Sequence, residues 1–390
     1  MNRGEAAFLA SPFHSVRPVV NMISPAACEV VETELKAPAR RRDWPPDPGP
    51  AEWLYLDQDA VLAADGLDME AAMTAVEAGL CQWELGQCRQ PHKLVLRQQE
   101  NAEAEAAGRC NGLCASLGQP PTHLGMKWIA SYPDNPARGL PRASALIVLN
   151  APDTGLPLAV LEGALISAMR TGAVSALGAR RLAPAPPATA CILGAGVQAH
   201  TQMLGLWTAW PRLREIRIWS RNPERAAACA EEGRRRWHAP ARSYDSAAAA
   251  ARDAQIVVTA TTASQPLCRA EMIAPGALTI QIAGHECEFE VITQCRKLVV
   301  DDWETIVHRG IMTPALMRER GLLDAASVHA RLSQILLGQR PGRENSQERI
   351  HFAHMGMGIC DIAWAAAIYQ RARERGLGQR MRLWKQPLWI

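Results

Sequence analysis

The chain has 390 residues, of which 48% are hydrophobic and 21% charged, and its formal net charge is +3. This length suits about two domains with a substantial core, and a nearly balanced charge is not typical of proteins that bind nucleic acid or membrane surfaces. No segment approaches the ~18 consecutive apolar residues of a membrane span. The eleven cysteines are scattered without a C-x-x-C pair, which favours reduced thiols in the cytoplasm. We therefore expect a cytoplasmic protein with neither a nucleic-acid nor a membrane partner.

Residues 1–50 are predicted to form a flexible extension, because "KAPARRRDWPPDPGP" (36–50) joins a basic run to prolines that cannot sustain a helix. From residue 51 the pattern becomes regular. "EWLYLDQDAVLAA" predicts a strand, and "DMEAAMTAVEAGLCQWELG" predicts a helix capped by Asp68. "HKLVLRQ", "MKWIAS", "SALIVLN" and "LPLAVLEG" predict strands in an antiparallel or mixed sheet. "ALISAMRTGAVSALGARRLA" (164–183) predicts a long helix that ends before "PAPP".

The following section alternates strands with helices. Strands are predicted at "TACILGAG", "REIRIWS", "AQIVVTATT", "GALTIQIAG" and "KLVVDDW", and helices at "VQAHTQMLGLWTA" and "PERAAACAEEGRRRW". This alternation predicts an α/β fold with a Rossmann-type, doubly wound parallel sheet over residues 174–350. A helix at 360–376 is expected to return to the first domain. That second, α+β domain would combine residues 51–173 with 351–390.

Two glycines, Gly194 and Gly196, directly follow a buried strand and precede a helix in "CILGAGVQAH". In this context they favour a loop that holds a dinucleotide pyrophosphate at the helix N-terminus, with an ordinary tight turn as the alternative. The next strand ends in Ser220 and Arg221 without an acidic residue. A guanidinium suits the 2′-phosphate of NADP, but solvated arginines are common in this chain, so NAD and NADP both stay open.

One lysine stands apart in the first domain. The chain has five lysines and 37 arginines, and Lys127 lies inside the apolar stretch "HLGMKWIAS" (123–131). A cation in an apolar strand is either an exposed edge side chain or a buried functional group. No metal site is predicted, because Cys110 and Cys114 lack a matching His or Cys pair, and His351 and His354 lack a third ligand.

The stretches "ISAMRTGAVSALGARRLA" and "CILGAGVQA" resemble the ornithine cyclodeaminase/mu-crystallin family, over roughly residues 51–390. "GMKWIASYPDNP", "RASALIVLN", "LVVDDWE", "PGRE" and "MGMGICDI" are similar to its branch of N-(2-amino-2-carboxyethyl)-L-glutamate dehydrogenases, which serve siderophore and related biosynthesis. The resemblance implies NAD(P)-dependent oxidation of the glutamyl amine, then imine hydrolysis to 2-oxoglutarate and L-2,3-diaminopropionate. It also implies a homodimer formed through the sheets of the substrate domain. Ornithine cyclodeamination, ketimine reduction and alanine- or opine-type dehydrogenation stay open, as does a non-catalytic, NAD(P)-bound ligand-binding protein.

The resemblance implies a substrate site made of cations. Lys127 corresponds to a family lysine on this strand, Arg170 to the arginine of the helix motif, and Lys93 to the cation before the substrate strand, with Arg97 nearby. From the residues alone, Lys93 could instead snorkel from a strand edge, and Arg170 could pair with Glu162. Together Lys93, Arg97, Lys127 and Arg170 are the predicted substrate-binding residues.

The predicted acid–base residues are Lys127, Glu286 and Asp361. Asp361 in "GICDI" corresponds to an acidic family residue near the nicotinamide. Where the family has a catalytic aspartate, alignment on "KLVVDDW" brings Glu286, with His285 as a possible substitute and a surface loop as the ordinary alternative. The predicted cofactor-binding residues lie in the helix motif, the glycine loop and the ends of parallel strands: Arg170, Thr171, Gly194, Gly196, Val197, Gln198, Ser220, Arg221, Thr259, Thr261 and Thr262.

Overall fold

The structure is a computed structural model that describes residues 51–98, 108–263 and 265–389. The extension predicted for residues 1–50 lies outside these residues. Within the described part, the strands form two sheets, one of seven strands and one of eight. No helix in these ranges is both long and apolar enough to cross a membrane.

The seven-stranded sheet, called the first sheet, has the order β15-β1-β6-β5-β4-β3-β2. Neighbouring strands from β2 to β6 are antiparallel, whereas β1 runs parallel to β6 and antiparallel to β15. This agrees with the mixed sheet that the short turns predicted. Its strands are β1 (Ala51–Leu56), β2 (Leu94–Arg97), β3 (Arg109–Leu117), β4 (His123–Ser131), β5 (Ala143–Asn150), β6 (Pro157–Glu162) and β15 (Gln379–Trp384).

Four helices accompany the first sheet: α1 (Gln58–Ala63), α2 (Met69–Glu84), α3 (Gly163–Leu182) and α11 (Gly358–Glu374). Helix α11 packs on β3, β4 and β5, as predicted for the C-terminal helix. Asp68 caps α2 by accepting from the backbone N–H of Ala71 at 3.0 Å, also as predicted. The strand predicted from residue 52 to 64 was wrong beyond Leu56, because Asp57 caps a separate helix by accepting from the N–H of Ala60.

The eight-stranded sheet, called the second sheet, is parallel throughout, in the order β13-β12-β14-β11-β10-β7-β8-β9. Strand order reverses between β7 and β10, and ligands of such sheets bind beyond the carboxyl ends of the strands at this reversal. Its strands are β7 (Thr189–Leu193), β8 (Glu215–Trp219), β9 (Ala241–Ser243), β10 (Ile256–Thr259), β11 (Leu278–Gln281), β12 (Lys297–Val300), β13 (Ala330–Arg331) and β14 (Ile350–Ala353).

Helices connect the strands of the second sheet, as the predicted doubly wound fold requires. They are α4 (Val197–Ala209), α5 (Pro223–Trp237), α6 (Ala247–Ala251), α7 (Phe289–Thr293), α8 (Trp303–Arg309), α9 (Thr313–Glu319) and α10 (Leu332–Leu336). Single 3₁₀ turns lie at Asn135–Arg138, Ala270–Met272 and Ala325–Ser327.

The predicted domain boundaries do not coincide with breaks in the chain's elements. The boundary after residue 173 falls inside α3, and the boundary after residue 350 falls inside β14, which pairs with β11 and β12 of the second sheet. Helix α3 follows β6 of the first sheet and precedes β7 of the second, and it packs closely on α4. A would-be Cβ on Gly172 of α3 would overlap the carbonyl of Thr201 in α4, so this contact needs a glycine.

Candidate active site

A buried ionic network lies where β4, α3 and α11 meet, and we call it the Lys127 cluster (Lys127, Ser167, Arg170 and Asp361). Lys127 is only 1% exposed, and its Nζ donates 2.8 Å hydrogen bonds to Asp361 Oδ1 and Ser167 Oγ. Arg170 Nε donates to the same Asp361 oxygen at 2.8 Å. The structure therefore excludes the exposed-edge interpretation of Lys127. It brings together three residues that the sequence analysis selected separately.

Helix α3 supplies two members of the cluster one turn apart. Ser167 and Arg170 are three residues apart and so share a helix face, and Arg170 also donates to Ser167 Oγ at 3.4 Å. Glu162, the alternative partner of Arg170, instead caps α3 by accepting from the N–H groups of Ala164 and Leu165. Arg170 therefore pairs with Asp361 and not with Glu162.

The cluster holds its charges in an unusual balance. Burial, opposed by Asp361 and reinforced by Arg170, lowers the pKa of Lys127 to about 8. Burial acts to raise the pKa of Asp361, but Arg170 and Lys127 outweigh it and the pKa is lowered. Asp361 is thus ionised near neutral pH, while Lys127 can exist in either protonation state. Asp361 Oδ2 is buried and has no hydrogen-bond partner among the described protein atoms, so the carboxylate retains the capacity to accept a hydrogen bond.

A loop of the second sheet supports the Arg170 guanidinium. Gly356 has φ +87°, and a Cβ there would overlap the terminal nitrogen of Arg170, so only glycine lets the guanidinium lie against the backbone. Asp301, the first residue after β12, fixes this loop by accepting from the Gly356 N–H at 2.7 Å. Burial raises the pKa of Asp301 to about 6. Asp301 therefore positions the surface on which Arg170 rests.

Lys93 and Arg97 occupy different surroundings. Lys93 is half-buried and lines a small cavity with Thr305 of α8 and Gly356. Burial, followed by the charges of Lys127, Arg309 and Arg170, lowers its pKa to about 7. Arg97 is exposed at the end of β2, roughly 13 Å of strand away from Lys93 at ~3.3 Å per residue. The structure thus associates Lys93 with the Lys127 cluster and leaves Arg97 at the surface.

The glycine loop has the features that a dinucleotide needs. Gly194 has φ +128°, and a Cβ on it would overlap the carbonyl oxygen of Ala260 at the end of β10. Gly196 is the N-cap of α4 and has open space where a side chain would be. Helix α4 is 13 residues long and no side chain caps it, so N–H groups of its first turn are available to an anion. These features fit a bound pyrophosphate.

The other predicted cofactor residues differ in exposure and in hydrogen bonding. Val197 is 69% exposed at the first position of α4, and Gln198 has a buried Oε1 without a partner among the described atoms. Ser220 and the exposed Arg221 follow β8, whose Trp219 carbonyl accepts from the Gly194 N–H at 2.7 Å. The remaining threonines differ: Thr262 is exposed, whereas Thr171 is buried and donates to the Ser167 carbonyl at 2.7 Å.

Glu286 is fully buried at the carboxyl end of β10, which contradicts its interpretation as a surface loop residue. Its carboxylate accepts from Thr259 Oγ1 at 2.9 Å, from the N–H and Oγ1 of Thr261 at 2.6 and 2.9 Å, and from the Ala283 N–H at 3.0 Å. Burial raises its pKa to about 7, although these donors act in the opposite direction. Both oxygens are thus engaged by neutral donors. These hydrogen bonds join Glu286 to Thr259 and Thr261, which flank Ala260, and not to the Lys127 cluster. His285 is half-buried beside it, 5.7 Å from the Phe289 ring.

A profile of the ornithine cyclodeaminase/mu-crystallin family matches residues 58–376. The chain belongs to the ornithine cyclodeaminase/mu-crystallin family. The family predicted from the motifs is therefore confirmed. One relative is N-((2S)-2-amino-2-carboxyethyl)-L-glutamate dehydrogenase of Staphylococcus aureus, 31% identical over 85% of this chain and 99% of its own length.

Two solved structures resemble this family member closely. The Δ1-pyrroline-2-carboxylate reductase of Thermococcus litoralis, in complex with NADH and L-proline, superposes with a TM-score of 0.78 at 29% identity, covering 84% of this chain and 99% of its own. An archaeal alanine dehydrogenase dimer with bound NAD gives a TM-score of 0.77 at 28% identity, covering 86% and 100%. These matches confirm the predicted α/β fold. The relatives are oxidoreductases that act on CH–NH bonds, and both solved structures hold a nicotinamide cofactor.

Sequence reasoning missed supporting residues of this family member. Ser167 lies one turn before Arg170, and Asp301 directly follows the buried strand β12, so helical spacing and sheet topology contained signals for both. His351 and His354 are buried in the core. His354 Nε2 lies 2.8 Å from Ser175 Oγ, and His351 Nε2 lies 3.2 Å from Gln281 Oε1. Burial lowers the pKa of each histidine to about 3, and no group of three or more metal-ligating side chains is found among the described residues.

Proposed function

We propose that this chain is an NAD(P)-dependent N-(2-amino-2-carboxyethyl)-L-glutamate dehydrogenase, releasing L-2,3-diaminopropionate and 2-oxoglutarate for siderophore or related biosynthesis. The observation that carries the proposal is the Lys127 cluster with Lys93 beside it. A substrate with three carboxylates needs several cations for binding. Placing several cations close together in a protein interior costs free energy, which a bound anion offsets. The 31% identity to a dehydrogenase of this name supports the choice of substrate.

In this proposal the cluster binds the substrate and moves its protons. Arg170 pairs with one substrate carboxylate through its planar guanidinium, and Lys93 attracts another as a mobile point charge. Asp361 Oδ2 accepts a hydrogen bond from the substrate amine and so holds the nitrogen next to Lys127. With a pKa near 8, Lys127 takes the amine proton during oxidation and later relays protons as water adds to the imine.

The cofactor would be held by the glycine loop, with Gly194 and Gly196 letting the pyrophosphate approach the α4 N-terminus. When bound, NAD(P)⁺ supplies the acceptor for the hydride that leaves the substrate Cα. Ser220 and Arg221 would meet the adenosine ribose, and the choice between NAD and NADP depends on them. Val197, Gln198 and Thr262 would line the same edge.

We assign Glu286 a positioning role instead of the acid–base role expected from the alignment. Its four donors fix Thr259 and Thr261 on either side of Ala260, and the Ala260 carbonyl closes over Gly194. Glu286 therefore shapes the support of the glycine loop. The acid–base function then rests on Lys127 and Asp361.

The experiment is to incubate the full-length protein with N-(2-amino-2-carboxyethyl)-L-glutamate and either NAD⁺ or NADP⁺. We expect reduced cofactor and 2-oxoglutarate to appear in equal amounts. Proline formed from ornithine with NAD⁺, or from pyrroline-2-carboxylate with NADH or NADPH, without turnover of the conjugate, would assign the chain a different activity of its family. Cofactor binding without redox turnover of any of these compounds would support the non-catalytic alternative.

We also propose that the protein is a cytoplasmic homodimer that pairs the outer faces of two first sheets. Large apolar side chains alternate with inward residues along three strands, and 36–65% of each is exposed: Leu94, Leu96, Met126, Trp128 and Leu146. Such a contiguous apolar face is typical of an interface. Leu146→Glu is expected to yield monomers in sedimentation-velocity experiments, whereas an unchanged mass would contradict this arrangement.

A further inference from the structure

We propose that a small cavity beside the Lys127 cluster holds the water molecule that hydrolyses the imine, and that Lys93 takes the proton which this water loses. This inference rests on the proposed dehydrogenase function and assigns a place to the nucleophile of its hydrolytic step. Lys93, Thr305 and Gly356 line the cavity, which we call the water cavity.

The walls of the water cavity adjoin three members of the Lys127 cluster. Gly356 is the residue against which the Arg170 guanidinium lies. Leu113, another wall residue, pairs directly with Lys127 between β3 and β4, so their side chains share one face of the sheet. Gly358, also in the wall, begins α11 one turn before the aspartate of the cluster. A water in this cavity therefore lies next to the groups that bind the substrate in our proposal.

The size of the water cavity suits one water and excludes a larger ligand. It offers about 10 Å³ to the centre of a water molecule, and a buried water needs about 10–15 Å³ of such space. A buried water also needs two to four polar partners. The walls provide them through the side chains of Gln90, Lys93 and Thr305.

These side chains can orient a water for attack. Thr305 Oγ1 donates its own proton to Asp302 Oδ2, so its lone pairs are free to accept from the water. Gln90 Oε1 accepts from the Ile359 N–H at 3.1 Å, which fixes the amide and leaves Nε2 to donate to the water oxygen. Lys93 in its neutral form accepts the second water proton. The remaining lone pair of the water is then available to the imine carbon.

The reaction needs a second base at this step. Lys127 takes the amine proton during oxidation and is therefore protonated when the iminium has formed. As the water oxygen bonds to the imine carbon, the C=N electron pair moves to nitrogen and one water proton passes to Lys93. Lys127 then protonates the nitrogen, the C–N bond breaks, and the hydroxyl proton returns to Lys127 as the carbonyl of 2-oxoglutarate forms.

Lys93 serves in two protonation states. It attracts a substrate carboxylate while it is protonated, and it accepts from water after it has released that proton to solvent. Its pKa of about 7 populates both forms near neutral pH. The ordinary alternative is a water that only satisfies the polar groups of the cavity wall. Such a water would affect the free energy of unfolding without any selective effect on hydrolysis.

The test is a stopped-flow measurement of cofactor reduction by the full-length protein with N-(2-amino-2-carboxyethyl)-L-glutamate, followed by a borodeuteride quench that converts bound imine to deuterated conjugate. Thr305→Val is expected to reduce about one cofactor per active site at near the wild-type rate, and then to turn over about 10- to 100-fold more slowly than wild type. The quench should recover about one deuterated conjugate per active site.

Two control variants accompany Thr305→Val in this test. Thr305→Ser keeps a hydroxyl and should restore most of the turnover. Thr279→Val removes the hydroxyl of another buried threonine, whose Oγ1 has no partner among the described atoms, and should leave turnover unchanged. Urea unfolding of all three variants shows whether any loss of turnover follows stability instead of the hydroxyl in the water cavity.

Lys93→Arg tests the proton transfer separately from the charge. Arginine keeps the cation but does not lose its proton near neutral pH, so we expect imine to accumulate as it does in Thr305→Val. If wild type reduces no cofactor with the conjugate, the proposed function fails together with this inference. If wild type turns over but neither variant accumulates imine, or if cofactor reduction slows as much as overall turnover, only the role of the water cavity is overturned.

Discussion

Asp361 and Glu286 are both fully buried carboxylates, yet their surroundings differ in kind. Asp361 accepts from two cations through a single oxygen and keeps the other without a protein partner. Glu286 instead has both oxygens engaged by hydroxyl and backbone donors, none of which is charged. Accordingly the pKa of Asp361 is lowered, whereas burial raises that of Glu286 to about 7.

The difference indicates that Asp361 can take part in the reaction, whereas Glu286 stabilises the local structure. An ionised carboxylate with an unused oxygen can bind an incoming amine, and the lysine it contacts can trade a proton. A carboxylate with saturated oxygens would have to break several hydrogen bonds before it could act on a substrate, at about 1 kcal/mol or more for each. This is why we place acid–base chemistry at the Lys127 cluster.

Changes at Lys127 should give the largest effect. Lys127→Met removes the proton relay, and Lys127→Arg replaces it with a group that does not lose its proton near neutral pH. We expect each to lower kcat about 10³-fold or more, while the Kd for NADH, measured by fluorescence titration, changes less than about threefold. Lys385→Met, at an exposed lysine, is the control. Near-normal turnover by Lys127→Arg would exclude proton transfer as the reason for a lysine here.

The second prediction contrasts the two carboxylates directly. Asp361→Asn leaves Lys127 and Arg170 buried without their anion, and we expect kcat/KM to fall about 10²- to 10³-fold. Because Asp361 raises the pKa of Lys127, its loss should also move the limb of the pH–rate profile governed by Lys127 to lower pH. Glu286→Gln should reduce kcat less than about 10-fold and leave that limb in place. If Glu286→Gln were the more damaging to kcat, the assignment of roles would have to be reversed.

The sequence allowed the fold to be predicted wherever periodicity was strong. Alternating strands and helices with a glycine loop specified the second sheet, but β14 was missed because its four residues "IHFA" form too short a run. Strand β3 was missed because "RCNGLCASL" mixes polar and apolar residues on both faces. Its pairing with β2 and β4, not its own pattern, makes it a strand.

The site was harder to predict, because its parts are distant in the chain. Lys127 and Asp361 are 234 residues apart, and Arg170 and Asp361 are 191 apart. No local spacing joins them, so they were selected by resemblance to a family. Glu286 shows the limit of that approach: its contacts with Thr259 and Thr261 depend on how two loops of the second sheet meet.

The region that Glu286 supports should tolerate change unequally at its two glycines. Gly194→Ala puts a Cβ onto the Ala260 carbonyl at a positive φ, and we expect it to lower the free energy of unfolding by about 2–3 kcal/mol and to abolish NADH binding. Gly196→Ala meets open space at φ −95°, so stability should change by less than about 1 kcal/mol while NADH affinity falls. Urea unfolding and NADH titration of both variants provide the measurement. Equal destabilisation would contradict this role for Ala260.

The smallest expected effect is a pH dependence of stability that belongs to Glu286. The pKa of Glu286 is about 7 in the folded protein, whereas an unperturbed glutamate, as in the unfolded chain, has a pKa of 4.5. Between these two pH values the folded chain therefore binds more protons than the unfolded chain. The contribution is fully present below pH 4.5 and is lost as the pH rises towards 7, by about 2–3 kcal/mol.

Urea unfolding of wild type and Glu286→Gln across this range isolates the contribution. Asp301, whose pKa is raised from 3.8 to about 6, titrates in both proteins and cancels in their difference. We expect the free energy of unfolding of wild type, relative to Glu286→Gln, to fall as the pH rises. If this free energy rose instead, the effect of the four donors on the pKa of Glu286 would be larger than the effect of burial. Glu286 would then be an ionised carboxylate like Asp361, but with both oxygens already hydrogen-bonded, whereas Asp361 Oδ2 has no partner among the described atoms.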